Sequence, residues 1–189
     1  MMERSKIELL IESDQRVFSI EDFGSIWSEN DYIKVKALAR YYANKHKIFR
    51  VKSGLYSIIQ KPDILEVAQH LITPSYISYH TALSIHGINF QFYSDIHCMA
   101  MRNREIEVQG QKIIYHQIKS DILFNPVGIV MQNGYSLASP ERAICDSLYL
   151  SPGIGFDNLN KIDIIELFKI AQIYNNKSLI KNLHKYFPN

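Results

Sequence analysis

Between Ile33 and Ile58 the chain reads IKVKALARYYANKHKIFRVKSGLYSI, which carries Lys34, Lys36, Arg40, Lys45, Lys47, Arg50 and Lys52 and no carboxylate. The whole chain is nearly balanced, at +2 over 189 residues, so this is a local concentration of charge. Such a run wants an anion to neutralise it, and the phosphates of DNA are the obvious candidate. Arg40 and Asn44 offer more than charge, because guanidinium and carboxamide groups have the geometry to read guanine and adenine edges in the major groove. Lys34 at the start of a helix, then Lys45, Lys47, Arg50 and Lys52 beyond its end, fall where the flanking backbone would pass. Contacts of that kind position a protein and carry little sequence information. The plainer alternative is a solvated basic face.

A second group with chemical potential lies in SPERAICD, Ser139 to Asp146. Cys145 is a poor nucleophile: Glu141 lies one turn away on an apolar segment, and no base precedes the thiol on its own face to lower its pKa. A buried structural cysteine is the expectation. Arg142 and Asp146 stand at i and i+4, Ser139 is a helix cap with Pro140 at the first helical position, and Glu141 faces the positive end of the helix dipole. His80 and His86 are six residues apart, about 240° around a helix, and so form no metal pair. The other histidines are scattered and read as surface or hydrogen-bonded residues. Cys98 and Cys145 form no CxxC pattern, which suggests neither a disulfide framework nor a zinc site. There is no Gly-rich phosphate loop, Gly-x-Ser-x-Gly elbow or Asp-x-Asp pair. The expectation is a binding protein with no catalytic residues, metal or cofactor. Arg102, Arg104, Lys112 and Lys119 read first as solubilising charge on a half-exposed sheet, with a second nucleic-acid surface or a self-association face as the alternatives.

The elements that must position these groups are legible in part. SKIELLIE places Ile7, Leu10 and Ile11 at helical spacing. In FSIEDFGSIW, Ser19 caps a helix with Asp22 three residues on, and Ile20, Phe23, Ile26 and Trp27 line one face. A third helix runs to about Lys45 with Val35, Leu38 and Tyr42 inward. Lys36, Arg40 and Asn44 then share another face with Ala37 and Tyr41. KIFRV and LYSII are β-prone runs joined around Gly54, which suits a tight hairpin. Helix, helix, turn, helix, hairpin is the order of a winged helix. QKPD, Gln60 to Asp63, reads as a linker. Beyond it, DILEVAQHLI and SYISYHTALSIHG read as helices, followed by four or five strands ending in the Asn133-Gly134 hairpin. SPERAICDSLYL is helical again, and two closing helices follow. In the first, Ile164, Leu167, Phe168 and Ala171 point inward, and in the second Leu179, Leu183 and Tyr186 do.

Three patches resemble the AbiEi-type antitoxins, regulators of abortive-infection (viral defence) toxin-antitoxin systems. The first is KALARYYANKHKIFRVKSGLYSI, similar to that family's N-terminal winged helix with glycine and tyrosine at the wing, here Gly54 to Tyr56. The second is SYISYHTALSIHGI, and the third SLASPERAICDSLYL, similar to the family's alanine-serine-proline-glutamate-arginine-alanine run with an aspartate four after the arginine. In this chain that run holds Ser139, Pro140, Glu141, Arg142 and Asp146. The resemblance implies an N-terminal domain that represses its own operon and a second domain that counteracts a nucleotidyltransferase-like toxin encoded next door, without a stable complex.

The expectation is therefore an α+β protein. Residues 1–60 form a winged helix-turn-helix domain, and residues 63–189 a mixed α/β antitoxin-like domain with a small antiparallel sheet. The DNA-binding residues are Lys34, Lys36, Arg40, Tyr41, Asn44, Lys45, Lys47, Arg50 and Lys52. The partners are double-stranded operator DNA, probed as inverted repeats by a homodimer formed on DNA, and the toxin. No run reaches the roughly 18 apolar residues of a membrane span, and the location expected is the cytoplasm. Two rivals are a plain winged-helix regulator whose second domain senses a ligand and a nucleic-acid-processing enzyme that docks through the winged helix.

Overall fold

The computed structural model describes residues 5–91 and 93–188. Residues 1–4 and 189, the outer ends of the two expected domains, lie outside them. The chain is a mixed α+β protein with two sheets, and it divides into two compact units, Met1–Leu71 and Ile72–Asn189.

In the first unit, α1 (Lys6–Glu12) begins in a capping box between Ser5 and Glu8, and α2 (Ile20–Trp27) in a second one between Ser19 and Asp22. Between them lies β1 (Val17–Ser19), a strand not expected from the sequence. Ser28, in the left-handed region at φ 52°, ends α2, and Asp31 caps α3 (Tyr32–Asn44) by accepting the N–H groups of Ile33 and Lys34 at 2.9 and 3.2 Å. α3 closes in a Schellman turn: His46 takes φ 55°, and the His46 and Lys47 N–H groups donate to the Ala43 and Tyr42 carbonyls. β2 (Phe49–Lys52) and β3 (Leu55–Ser57) form the hairpin expected at Gly54, whose φ is 81°. The three strands pair antiparallel in the order β1-β3-β2.

The core of this unit is aromatic. Phe18, Phe23 and Trp27 stack in sequence, and Tyr56 tilts against Phe23. Val35 and Ala39 of α3 are fully buried against this group, with Leu38 and Tyr42 at its margin. Ile11, expected inward on α1, is 61% exposed, because the short helix buries Leu10 and only flanks the core with Ile7. The expected boundary at Gln60–Asp63 falls instead after Leu71, and α4 (Ile64–Leu71) belongs to the first unit. The reason is Glu66, buried and accepting the N–H groups of Arg16 and Val17 at 2.9 and 3.0 Å, which ties α4 to the start of β1.

The second unit is built on six strands in the order β6-β7-β5-β4-β9-β8. They are β4 (Ser75–Ile77), β5 (Ile96–Ala100), β6 (Arg104–Val108), β7 (Gln111–Gln117), β8 (Ile129–Gln132) and β9 (Tyr135–Ala138). The β4-β9 and β5-β7 pairs are parallel, so the sheet is mixed and larger than the small antiparallel one expected. Ser75–Ile77, expected as helix, is the β4 strand, and α5 starts only at Tyr79 (Tyr79–Ile85). A short α6 (Ser120–Leu123) links β7 to β8, and Asn133 and Gly134, both at positive φ, turn the β8-β9 hairpin. α7 (Pro140–Leu150) packs against α5, α8 (Ile164–Gln172) and α9 (Lys177–Tyr186). Leu167, Ile170 and Ala171 of α8 are buried, whereas Ile164, expected inward, is 51% exposed in the first turn.

Candidate nucleic-acid interface

Burying Val35, Leu38, Ala39 and Tyr42 turns the rest of α3 outward. Arg40, Tyr41 and Asn44 are exposed there, and Lys36 is half-buried with its ammonium 5.9 Å from the Tyr32 ring centroid. Lys45 caps the helix end and lies 5.9 Å over Tyr41. Lys47 follows in the exposed connection, and on β2 Arg50 and Lys52 are exposed in alternation with half-buried Phe49 and Val51. Lys34 forms an ion pair with Glu29 of the preceding turn, which raises the lysine pKa and lowers that of the carboxylate. The carboxylate-free segment therefore has an acidic neighbour at its first turn. The charge available to a polyanion begins at Lys36.

The motif residues Ser139 to Asp146 sit elsewhere, inside the second unit. The Ser139 hydroxyl accepts the Arg142 N–H at 3.2 Å and donates to Glu141 at 3.0 Å, while Glu141 accepts the N–H of Asp163, the N-cap of α8, at 3.2 Å. The Arg142 and Asp146 side chains are wholly buried, with Nε 3.7 Å from Oδ1. Arg142 also donates to the carbonyls of Val127 and Ile122, at 2.9 and 2.7 Å, and to the Tyr76 hydroxyl at 3.0 Å. Its guanidinium carbon lies 5.3 and 5.4 Å from the Tyr76 and Tyr174 ring centroids. Asp146 accepts hydroxyl bonds from Tyr76 (3.0 Å), Ser78 (2.7 Å) and Tyr174 (2.6 Å). Burial pushes its pKa up, against the pull of Arg142 and these donors. Tyr76, Ser78 and Tyr174 complete a network of which the sequence reading found only the i,i+4 pair. Two tyrosines beside apolar runs gave no signal of it.

Neither a protein-family model nor a curated protein matches this chain. What it offers a partner is read from its own side chains.

Cys145 is buried, and desolvation raises its thiol well above the ordinary value, in keeping with a structural cysteine. Three of the histidines, expected to be scattered, lie together. His97 Nδ1 and His116 Nε2 are 2.8 Å apart, and His80 lies 5.2 Å from His97, ring centre to centre. Tyr79 packs against all three, and Tyr93 stacks on His80 at 4.0 Å. Burial lowers all three pKa values, that of His97 to about 4. The parallel register sets His97 opposite Ile114 and Met99 opposite His116, so both imidazoles share one face of the sheet. Among the described residues, no group of three or more His, Cys, Asp or Glu is arranged to hold a metal ion, and no helix is long and apolar enough to cross a membrane.

Proposed function

We propose that the first unit is a winged-helix DNA-binding domain, with α3 as recognition helix and the β2-β3 hairpin as wing. On this reading the protein is a transcriptional autorepressor and the antitoxin of an abortive-infection toxin-antitoxin pair, acting in the cytoplasm. The DNA-binding part rests chiefly on the outward face of α3. Arg40, Tyr41 and Asn44 stand exposed there without a carboxylate of their own, continuous in sequence with Lys45, Lys47, Arg50 and Lys52. The element order α1-β1-α2-α3-β2-β3 and the β1-β3-β2 sheet support the winged-helix assignment. Arg40 and Asn44 read base edges, and the cations beyond them hold the backbone of an inverted repeat bound by two copies.

The antitoxin part rests on the resemblance of SLASPERAICDSLYL to the AbiEi-type run. Its partner is a nucleotidyltransferase-like toxin encoded beside it, counteracted without a stable complex. No catalytic residue, metal or cofactor enters this reading.

The test is fluorescence anisotropy with the DNA upstream of the protein's own gene and with a scrambled duplex, each at low and near-physiological salt. Base readout predicts a preference of about a thousandfold or more that survives salt. Equal binding that collapses with salt overturns the autorepressor reading. For the antitoxin, co-expression with the adjacent toxin gene is expected to restore growth without co-purification, and failure to restore growth removes that assignment.

A further inference from the structure

One strongly exposed side chain of α3 is apolar. Ile33 is 79% exposed, in the first turn of the helix, on a protein whose other α3 aliphatics are buried or half-buried apart from Ala37. At 100° per residue, positions 33, 37, 40 and 44 fall within an arc of about 60°, directly away from buried Val35 and Ala39. Ile33, Ala37, Arg40 and Asn44 therefore form one continuous outward stripe, apolar at the N-terminal half and hydrogen-bonding at the C-terminal half. The cation beside Ile33, Lys34, is already paired with Glu29, so the first turn presents methyl groups with its charge neutralised locally. Lys36 and Arg40 border the patch, and a polyanion with apolar groups on its surface is complementary to that arrangement. In duplex DNA the major groove has such a group, the C5-methyl of thymine, and recognition helices put their first turns against base edges.

We infer that Ile33 and Ala37 are specificity-determining residues that pack against thymine methyl groups in the operator, alongside the hydrogen-bonding readout by Arg40 and Asn44. This rests on α3 being the recognition helix of a DNA-binding domain. It deepens that reading by naming a chemical feature of the DNA.

The experiment uses the full-length protein, the upstream duplex that it prefers over a scrambled one, and the same duplex with every thymine replaced by deoxyuridine. The substitution keeps each base pair and deletes only the methyl group. Burying one methyl is worth about fourfold in affinity, so wild-type binding is expected to weaken by about fourfold per methyl contacted. Ile33→Ala is expected to weaken binding to thymine DNA and to lose most of the sensitivity to deoxyuridine, while Ile33→Val keeps much of both. Because Ile33 is solvent-exposed, an unchanged circular-dichroism melt should accompany each variant. If wild type prefers its upstream DNA but binds the thymine and deoxyuridine duplexes equally, the inference fails while the DNA-binding reading stands. If Ile33→Ala shows the same deoxyuridine loss as wild type, DNA shape and not this side chain accounts for it, and the inference is overturned. If wild type shows no preference for its upstream DNA, the DNA-binding reading fails and this inference falls with it.

Discussion

Arg142 and Asp146 stabilise each other only as a pair. Arg142→Met leaves Asp146 buried, with three hydroxyl donors and no counter-charge, and is expected to cost about 3–5 kcal/mol, read as a lower urea midpoint. Arg142→Met with Asp146→Leu removes both charges and is expected to recover much of that loss; a double variant as unstable as the single one would show that the pair is not what is at stake. The histidine cluster responds to pH instead. His97 faces His80, Tyr79 and Thr81 from α5, Tyr93 and Asp95 from the segment before β5, and His116 and Lys112 from β7. An unfolded imidazole titrates near 6.5 and His97 in the fold at about 4, so the folded value is depressed. Its contribution is fully present above about pH 6.5 and is lost as pH falls towards 4, about 2 kcal/mol of it between pH 7 and 5. Thermal melts at both pH values should show this loss, and His97→Gln should flatten it. A loss unchanged in the variant would assign it to other groups. Sequence spacing exposed the Arg142-Asp146 pair because i,i+4 is local. It hid the histidines, 17 and 19 residues apart, because only the β5-β7 register brings two of them onto one face.

The elements differ in how tightly their turns are enclosed. Gly128, just before β8, has φ +75°, and an added Cβ would lie 2.9 Å from both Arg142 Cβ and Ile170 Cδ1. Gly54, in the β2-β3 turn, has φ +81° and open space around it. Gly128→Ala is therefore expected to cost about 2–3 kcal/mol, from strain and overpacking together, and Gly54→Ala only about 1 kcal/mol from strain. Chemical denaturation would give the order, and equal costs would mean that α7 and α8 yield to the added methyl. Helix starts were the most legible feature of the sequence, since Ser19 and Ser139 cap where their side chains suggest. Strands were less so. β1 is three residues long and exists because β3 pairs with it, and Ser75–Ile77 became a strand because β5 and β9 flank it, contacts that no local pattern encodes. The outward residues of α3 were legible because its buried stripe is periodic. The Glu29-Lys34 pair was not, because it joins a turn to a helix.

At the scale of the whole molecule, charge is distributed very unevenly. Seven of the 21 Lys and Arg residues lie between Lys34 and Lys52, although the net charge is only +2. On the proposed DNA-binding reading Lys36, Arg40, Lys45, Lys47 and Arg50 contact the polyanion, and the logarithm of the binding constant should fall with the logarithm of salt concentration with a slope of roughly −4 to −5. On that reading Lys47→Ala should reduce that slope by about one, and an unchanged slope would place it off the backbone. The buried network bears on the molecule in another way, through the order in which the chain leaves the ribosome. Asp146 binds Tyr76, 70 residues earlier, and Tyr174, 28 residues later. At about 5–20 residues per second, translation takes roughly 5–20 s to pass from Tyr76 to Tyr174. All the residues of the Met1–Leu71 unit have been made by Leu71, whereas the contacts of Asp146 can close only once Tyr174 has been synthesised. A nascent chain therefore carries its whole basic segment well before all the partners of Asp146 have been made.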